Sequence, residues 1–425
     1  MTRLAYSLLF YFIQPLIWLR LIWRSRKQPA YLRRAGERYG FYSDDVPSPA
    51  KLFWLHAVSV GETRAAEPLI RTLLDEFPEH SILMTHMTPT GREAGKDFTA
   101  RFGKRLIQAY LPYDLPGAGR RFLSRFRPIC GVVMETEIWP NLIAAARRRA
   151  IPMLLVNARL SERSHAGYKR FLPLIRPTVA ALDAIAAQTD ADARRFAELG
   201  ARRIEICGNL KFDVAPSPEK QALGKKWRGD LGSRPVWLAA STREGEEILI
   251  LDAFAQSGGN ALLLLVPRHP QRFDEVAAQI RARGLPFLRR SADKIPGAET
   301  RVWLGDSMGE MPAYYTVADL ALIGGTLLPF GGQNLIEAAV CRCPALAGPH
   351  TFNFARATED SIASGAALRV VDAFDAIRQC ERLLNDEKTL NTMRESALLF
   401  SRKYRGATEK TLGLIREITA LRKAG

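Results

Sequence analysis

The chain has 425 residues, 47% hydrophobic and 25% charged, a length for two or three domains and a composition that excludes a disordered, collagen-like or polytopic membrane protein. Its 61 Lys and Arg against 44 Asp and Glu give a formal charge of +17, which points to an anionic partner: nucleic acid, a lipid surface or a phosphorylated substrate. The excess is uneven, with 33 Lys and Arg against 19 Asp and Glu in residues 1–212 and 28 against 25 in residues 213–425, so an anion large enough to need a whole face would meet the first half.

The chain opens with LAYSLLFYFIQPLIWL between Arg3 and Arg20, 16 residues without a charge, and the apolar run resumes through Trp23. As one helix, Leu4 to Trp23 would reach about 30 Å, enough for a single membrane crossing with Arg20 snorkelling. Its aromatic residues suit a headgroup boundary, and the basic cluster Arg24, Arg26, Lys27, Arg33, Arg34 and Arg38 predicts that the downstream chain is cytoplasmic. A soluble core helix and an interfacial helix kinked at Pro15 are the alternatives. No small-residue cleavage site follows, which disfavours a signal peptide.

From Lys51 onward, short apolar runs alternate with amphipathic helical patterns. KLFWLHAVSV, SILMTHMT, RLIQAYLPY, ICGVVME, IPMLLVNARL, AIAAQT and IEICGNL read as buried strands of a parallel sheet covered on both faces. The proline-containing run at 211–220 breaks the pattern and marks a domain boundary. It resumes with PVWLAAST, ALLLLVPRH, LPFLRRS, RVWLGDS, LALIGGT and CPALAGP, a second parallel sheet. Residues 381–422 read as helical, without strands. Two doubly wound domains facing a cleft would place ligands at the carboxyl ends of the strands. The five cysteines (Cys130, Cys207, Cys341, Cys343, Cys380) have no metal-ligand spacing and read as buried thiols of a reducing compartment.

Chemistry then rests on the loops after the strands. In HAVSVGET, Gly61 permits a tight turn and Glu62 falls in the first turn of a helix, where a carboxylate serves either as an N-terminal helix charge or as a general base. In VVMETEIWPN, strand alternation would point Glu135 and Glu137 to the same side, an expensive pairing unless a cation or solvent intervenes. Lys211 follows a Gly-Asn turn at the domain boundary. In the second half, Ser241 and Thr242 are candidate helix caps suited to phosphate. Arg268 and His269 directly follow a strand, and Arg is the natural bidentate phosphate ligand, though many such arginines only pair with a carboxylate. Gly324, Gly325, Gly331 and Gly332 flank a loop feeding a helix near Asn334, with Glu337 in its first turn, an arrangement that cradles a nucleotide. Neither a Walker loop nor a GxGxxG at the first strand is present, which disfavours P-loop enzymes and dehydrogenases.

Taken together, HAVSVGET, MTPTGREAG, LPYDLP, METEIWPN, NARLSERS, GNLKFD, VPRHPQRF, MGEM, GGQNLIEAA and GPHTFNF, in that order, resemble the bacterial lipid A 3-deoxy-D-manno-octulosonic acid (Kdo) transferases, as does the opening IQPLIWLRL…GERYGFY. The resemblance runs from near residue 1 to about residue 355. It implies an α/β, GT-B-like fold: a membrane anchor at 1–24, an acceptor-binding Rossmann-like domain at 25–212, a CMP-sugar donor domain at 213–400 and a C-terminal helix at 401–425. The implied enzyme is an inverting glycosyltransferase at the cytoplasmic face of the inner membrane, moving Kdo from CMP-Kdo to the lipid A precursor, a tetra-acylated, bis-phosphorylated glucosamine disaccharide. Glu62 would be the general base, with Glu135 and Lys211 supporting the transition state. Pro267, Arg268, Gly309, Glu310, Met311, Asn334, Leu335, Ile336 and Glu337 would hold CMP. No metal or cofactor is implied, nor nucleic acid as a partner; anionic phospholipid is.

A base that takes the acceptor hydroxyl's proton, and cations or helix ends that stabilise the departing phosphate, are what a single inverting displacement requires. Against the family's GGHNPLE pattern this chain has Gln333 for His and Leu335 for Pro. Gln hydrogen-bonds but does not titrate, and Pro in a first helical turn is favoured without being required. The rival readings are a sugar-nucleotide epimerase, which leaves the hydrophobic amino terminus unexplained, and a basic nucleic-acid-binding protein, which leaves the second glycine loops unexplained.

Overall fold

The computed structural model describes residues 1–26, 28–213 and 217–421, so Lys27 of the basic cluster, part of the expected boundary run and the end of the last helix lie outside the described residues. The chain forms two compact units, Met1–Asp213 with Gly406–Gly425, and Val214–Arg405.

The first unit is built on seven parallel strands: β1 (Leu52–His56), β2 (Ser81–His86), β3 (Leu106–Tyr110), β4 (Cys130–Met134), β5 (Met153–Ala158), β6 (Ala184–Ala187) and β7 (Ile204–Ile206), in the order β3-β2-β1-β4-β5-β6-β7. These strands are apolar at nearly every position because both faces are covered. In β1, Phe53 and Leu55 enter one core and Leu52 and Trp54 the other, all at most 1% exposed. The order reverses between β1 and β4, so the loops after these two strands open the crevice where doubly wound sheets bind ligands.

The second unit repeats the plan with β8 (Val236–Thr242), β9 (Leu262–Pro267), β10 (Phe287–Arg289), β11 (Val302–Leu304), β12 (Leu320–Ile323), β13 (Ala345–Ala347) and β14 (Ala367–Arg369), in the order β10-β11-β9-β8-β12-β13-β14. Its reversal lies between β8 and β12. The sequence reading missed β14, a three-residue edge strand too short to carry a pattern.

Two expectations are corrected at the ends of the chain. The apolar amino terminus is not one helix but two, α1 (Arg3–Phe12) and α2 (Gln14–Ser25), bent by 48°. The break falls at Ile13, just ahead of Pro15, which fits the first turn of α2 because its missing N–H costs nothing there. Among the described residues no single helix is long and apolar enough to cross a membrane. The pair packs one side on the first unit, with Leu21 against Tyr113, Leu115 and Ala118, and Trp18 stacked on Tyr39. The opposite side leaves Leu4, Phe12, Leu16, Leu19 and Trp23 more than half exposed.

The C-terminal helix begins at Ala407 rather than at residue 401. One helix runs Glu387–Tyr404, and the next, Ala407–Leu421, returns to the first unit, where Leu412, Leu414, Ile415 and Ile418 join the core around Leu69, Ile70 and Leu73. The Asp213 carboxylate accepts from Gly406 N at 2.8 Å and Thr408 N at 2.5 Å and so pins the returning chain to the departing one. The second unit thus closes at Arg405 rather than at residue 400.

Candidate active site

After β1 the chain turns into the short helix α3 (Val60–Ala65), capped by Ser59, whose Oγ accepts from Glu62 N at 3.2 Å. Glu62 reciprocates: Oε1 accepts from Ser59 Oγ at 3.0 Å and Oε2 from Val58 N at 2.8 Å. This variant of a capping box aims the carboxylate back over the strand end. Two of its roughly four lone-pair directions are used, which leaves acceptor capacity for a substrate proton. Burial raises the Glu62 pKa, the Val58 N–H lowers it, the neighbouring Glu135 charge raises it and Lys211 lowers it.

The loop after β4 carries the other acidic groups, by a different route from strand alternation. β4 stops at Met134, and Glu135 adopts a left-handed conformation with φ 57°. Its amide still donates to Val156 O at 2.9 Å. Glu135 Oε1 accepts from Lys211 Nζ at 3.3 Å, so the two expected supporting residues meet. Glu137 stays close enough to feel both other carboxylates. Burial, then Glu62 and Glu135, push its pKa up to about 7, against a lowering hydrogen bond from Trp139. Glu62, Glu135, Glu137 and Lys211 are therefore one electrostatic cluster at the reversal of the first sheet.

Lys211 is placed by Asn209 of the Gly-Asn turn together with Asn157 and Gln188, two residues the sequence reading passed over. Asn157, at φ 51° in β5, accepts from Leu210 N at 3.0 Å, and its carbonyl accepts from Gln188 Nε2 at 2.9 Å. Gln188 Oε1 accepts from Asn209 Nδ2 at 3.0 Å, and Asn209 Oδ1 from Lys211 N at 2.9 Å. The signal available was an amide residue near the end of the otherwise apolar run MLLVNA.

In the second unit, the predicted donor residues also gather at strand ends. Pro267 ends β9 and Arg268 N donates to Thr242 O at 3.0 Å. Asn334 caps the helix Leu335–Val340, accepting from Ile336 N at 3.1 Å, while its Nδ2 donates to Glu337 Oε1 at 3.2 Å. Burial raises the Glu337 pKa, and Asn334 and the charge of Arg268 lower it, which ties Arg268 to this helix start. Leu335, 2% exposed, is held by packing. Gly309, at φ 75°, and Glu310 precede the helix Met311–Val317; Glu310 pairs with Arg290 Nε at 3.2 Å and accepts from Ser307 Oγ at 2.5 Å.

Glu246, which was not singled out from sequence, organises this glycine loop. Fully buried, it accepts from Arg243 N at 2.8 Å, Gly325 N at 2.6 Å and Leu327 N at 2.9 Å, and so joins the loops after β8 and β12. The two loops touch: a Cβ at Gly324 would sit 2.4 Å from Ser241 O, so no other residue fits. Beside it, Glu247 accepts from Arg272 at 2.7 Å and Thr242 Oγ1 at 2.8 Å.

A family model for 3-deoxy-D-manno-octulosonic-acid transferase (kdotransferase) matches residues 33–214. The 3-deoxy-D-manno-octulosonic acid transferase of Bordetella pertussis is 45% identical over 436 residues, covering 98% of this chain and 99% of its own. That of Haemophilus influenzae is 38% identical and covers 98% of each. The chain belongs to the Kdo transferase family. Among solved structures, a glycosyltransferase from Rickettsia africae superposes with a TM-score of 0.56 at 12% identity, covering 87% of this chain and 99% of its own. That likeness is one of fold, and it makes the two-sheet architecture GT-B-like. Within the Kdo transferase family frame, the acidic cluster and Lys211 fall inside the stretch the family model matches, and the glycine loops of the second unit fall beyond it.

Proposed function

We propose that this chain transfers Kdo from CMP-Kdo to the lipid A precursor with inversion, the first unit binding the lipid acceptor and the second the CMP moiety. The observation that carries this reading is the cluster of Glu62, Glu135, Glu137 and Lys211 at the reversal of the first sheet, in a chain 45% identical to a Kdo transferase.

Glu62 acts as the general base. Its raised pKa brings the carboxylate nearer to the operating pH, where a base accepts a proton most effectively, and its two fixed hydrogen bonds orient it before substrate arrives. As the acceptor oxygen attacks, its proton passes to Glu62, the bond from the Kdo anomeric carbon to the phosphate oxygen breaks, and CMP leaves with the electron pair. Lys211, held by Glu135, offers a cation to the carboxylate of the sugar. Arg268 and the N-termini of the helices Met311–Val317 and Leu335–Val340 stabilise charge on the departing phosphate, and Glu337 accepts from the ribose hydroxyls. No step requires a metal ion.

The exposed apolar side of α1 and α2 lies in the cytoplasmic leaflet of the inner membrane rather than spanning it. The bend at Ile13 and the packing of the opposite side on the first unit support the interfacial geometry, and the net positive charge of residues 1–212 favours anionic phospholipid there. The test is mass added to lipid A precursor by purified protein supplied with CMP-Kdo. One or more Kdo units should appear on the lipid; none, with folded protein, contradicts the reading.

A further inference from the structure

The amino-terminal helix is tied to the loop bearing Glu135 and Glu137 through a buried polar cluster. Asp114, 2% exposed, follows β3 and sends both carboxylate oxygens to the start of the helix Pro140–Arg148. Oδ2 accepts from Asn141 N at 3.0 Å and Oδ1 from Leu142 N at 2.8 Å. Asn141 Nδ2 donates back to Asp114 O at 2.8 Å, and its Oδ1 accepts from Ser7 Oγ of α1 at 3.0 Å. The Tyr6 hydroxyl interacts with the Asp114 carboxylate. Leu21 of α2 packs on Tyr113 and Leu115, on either side of Asp114. The amino-terminal pair thus closes this cluster from one side, and the acidic loop departs from the other.

The loop needs such a hold. A left-handed Glu135 costs about 1 kcal/mol or more and persists only where the surroundings determine it. Glu137 is a carboxyl buried beside two others, a costly placement that raises its pKa and that a loop with unfixed ends would relieve by moving into water. One end is fixed by Glu135 N on Val156 O, the middle by the Tyr168 hydroxyl on Thr136 O at 3.3 Å, and the far end by Asp114. Without α1, Asp114 and Asn141 would face water, which competes for the bonds that fix this far end.

We propose that α1 is a positioning element of the acidic loop, acting through Tyr6 and Ser7 on Asp114 and Asn141, in addition to any contact with a membrane. The inference rests on the catalytic reading of Glu62, Glu135 and Lys211 given above. It makes the amino-terminal helix part of the apparatus that sets turnover, so that attachment and catalysis share one element.

The test uses full-length protein carrying Tyr6→Phe with Ser7→Ala, assayed with CMP-Kdo and lipid A precursor in detergent micelles, where attachment to a bilayer is not needed. The expected result is kcat lower by about 10-fold with the KM for CMP-Kdo unchanged. Ser7→Thr, which keeps the hydroxyl, should restore most of what Ser7→Ala alone loses. Wild-type kcat in micelles, or a loss confined to vesicle-bound acceptor, overturns the proposal by reducing α1 to an attachment. Should the double variant misfold, Ser7→Ala alone is read by hydrogen exchange: faster exchange of the Asn141 and Leu142 amides supports the proposal, and unchanged exchange overturns it. Glu62→Gln is run in parallel. If that variant turns over normally the catalytic reading fails; if it is inactive while the Tyr6 and Ser7 variants run at the wild-type rate, only the positioning role fails.

Discussion

Lys211 and Glu135, 76 residues apart in sequence, meet at 3.3 Å between Nζ and Oε1. Lys211 is the cation among three carboxyl groups, and Glu62 registers its charge directly. Replacing Lys211 with Met should lower kcat by roughly 100-fold and leave the Glu62 carboxylate less stabilised in its charged form. Removal of a cation raises the pKa of a neighbouring carboxyl, so the acid limb of the pH–rate profile should move to higher pH. A rate profile unmoved along the pH axis would separate Lys211 from the ionisation of Glu62.

The Glu137 carboxyl carries its own pH signature. Its folded pKa, raised to about 7 from 4.5, means that the native state holds a proton which the unfolded chain has lost. The stabilisation from that proton is fully present below pH 4.5 and is lost as the pH rises through about 7. Glu137→Gln, which stays neutral, should therefore gain stability relative to wild type between pH 5 and pH 8, by about 2 kcal/mol at the upper end. Denaturant melts at the two pH values check this, and an equal difference at both would contradict it.

His56 and His86 give the opposite sign. Burial pushes their pKa values down to about 3 and about 4, so the native state keeps both neutral while the unfolded chain protonates them below pH 6.5. Their contribution to stability is complete above pH 6.5 and is lost as the pH falls toward 4. His86→Gln should flatten the acid side of the stability profile, measured by thermal unfolding between pH 7 and pH 5; a profile as steep as the wild type's would remove His86 from this role.

Most of the fold was legible because parallel strands buried on both faces read as continuous apolar runs, as in LLLLVP of β9. The short edge strand Ala367–Arg369 had no such run, and the helix Ala407–Leu421 showed an apolar face without naming its partner, which proves to be the first unit. Glu62, Glu135, Lys211, Arg268, Asn334 and Glu337 stood out because charged or amide groups end apolar runs or open helices. Glu246 and Asp114 did not. Their carboxylates serve backbone amides distant in sequence, a task no local pattern announces.

Glu246 tests how far the nucleotide loop depends on that support. Glu246→Ala leaves the amides of Arg243, Gly325 and Leu327 without their acceptor and should cost about 3 kcal/mol of stability. At a temperature where the variant remains folded, CMP should bind more weakly by about 10-fold in calorimetry. Wild-type affinity in a destabilised protein would show that the loop holds its shape without Glu246.

The central claim is that Glu62 takes the proton of the acceptor hydroxyl. Glu62→Gln keeps the shape and an acceptor oxygen but cannot hold that proton, so single-turnover transfer from CMP-Kdo to lipid A precursor should slow by at least about 100-fold while CMP-Kdo binds with unchanged affinity. Transfer at a near-normal rate by a folded Glu62→Gln protein would contradict the account and return Glu62 to the role of a helix cap.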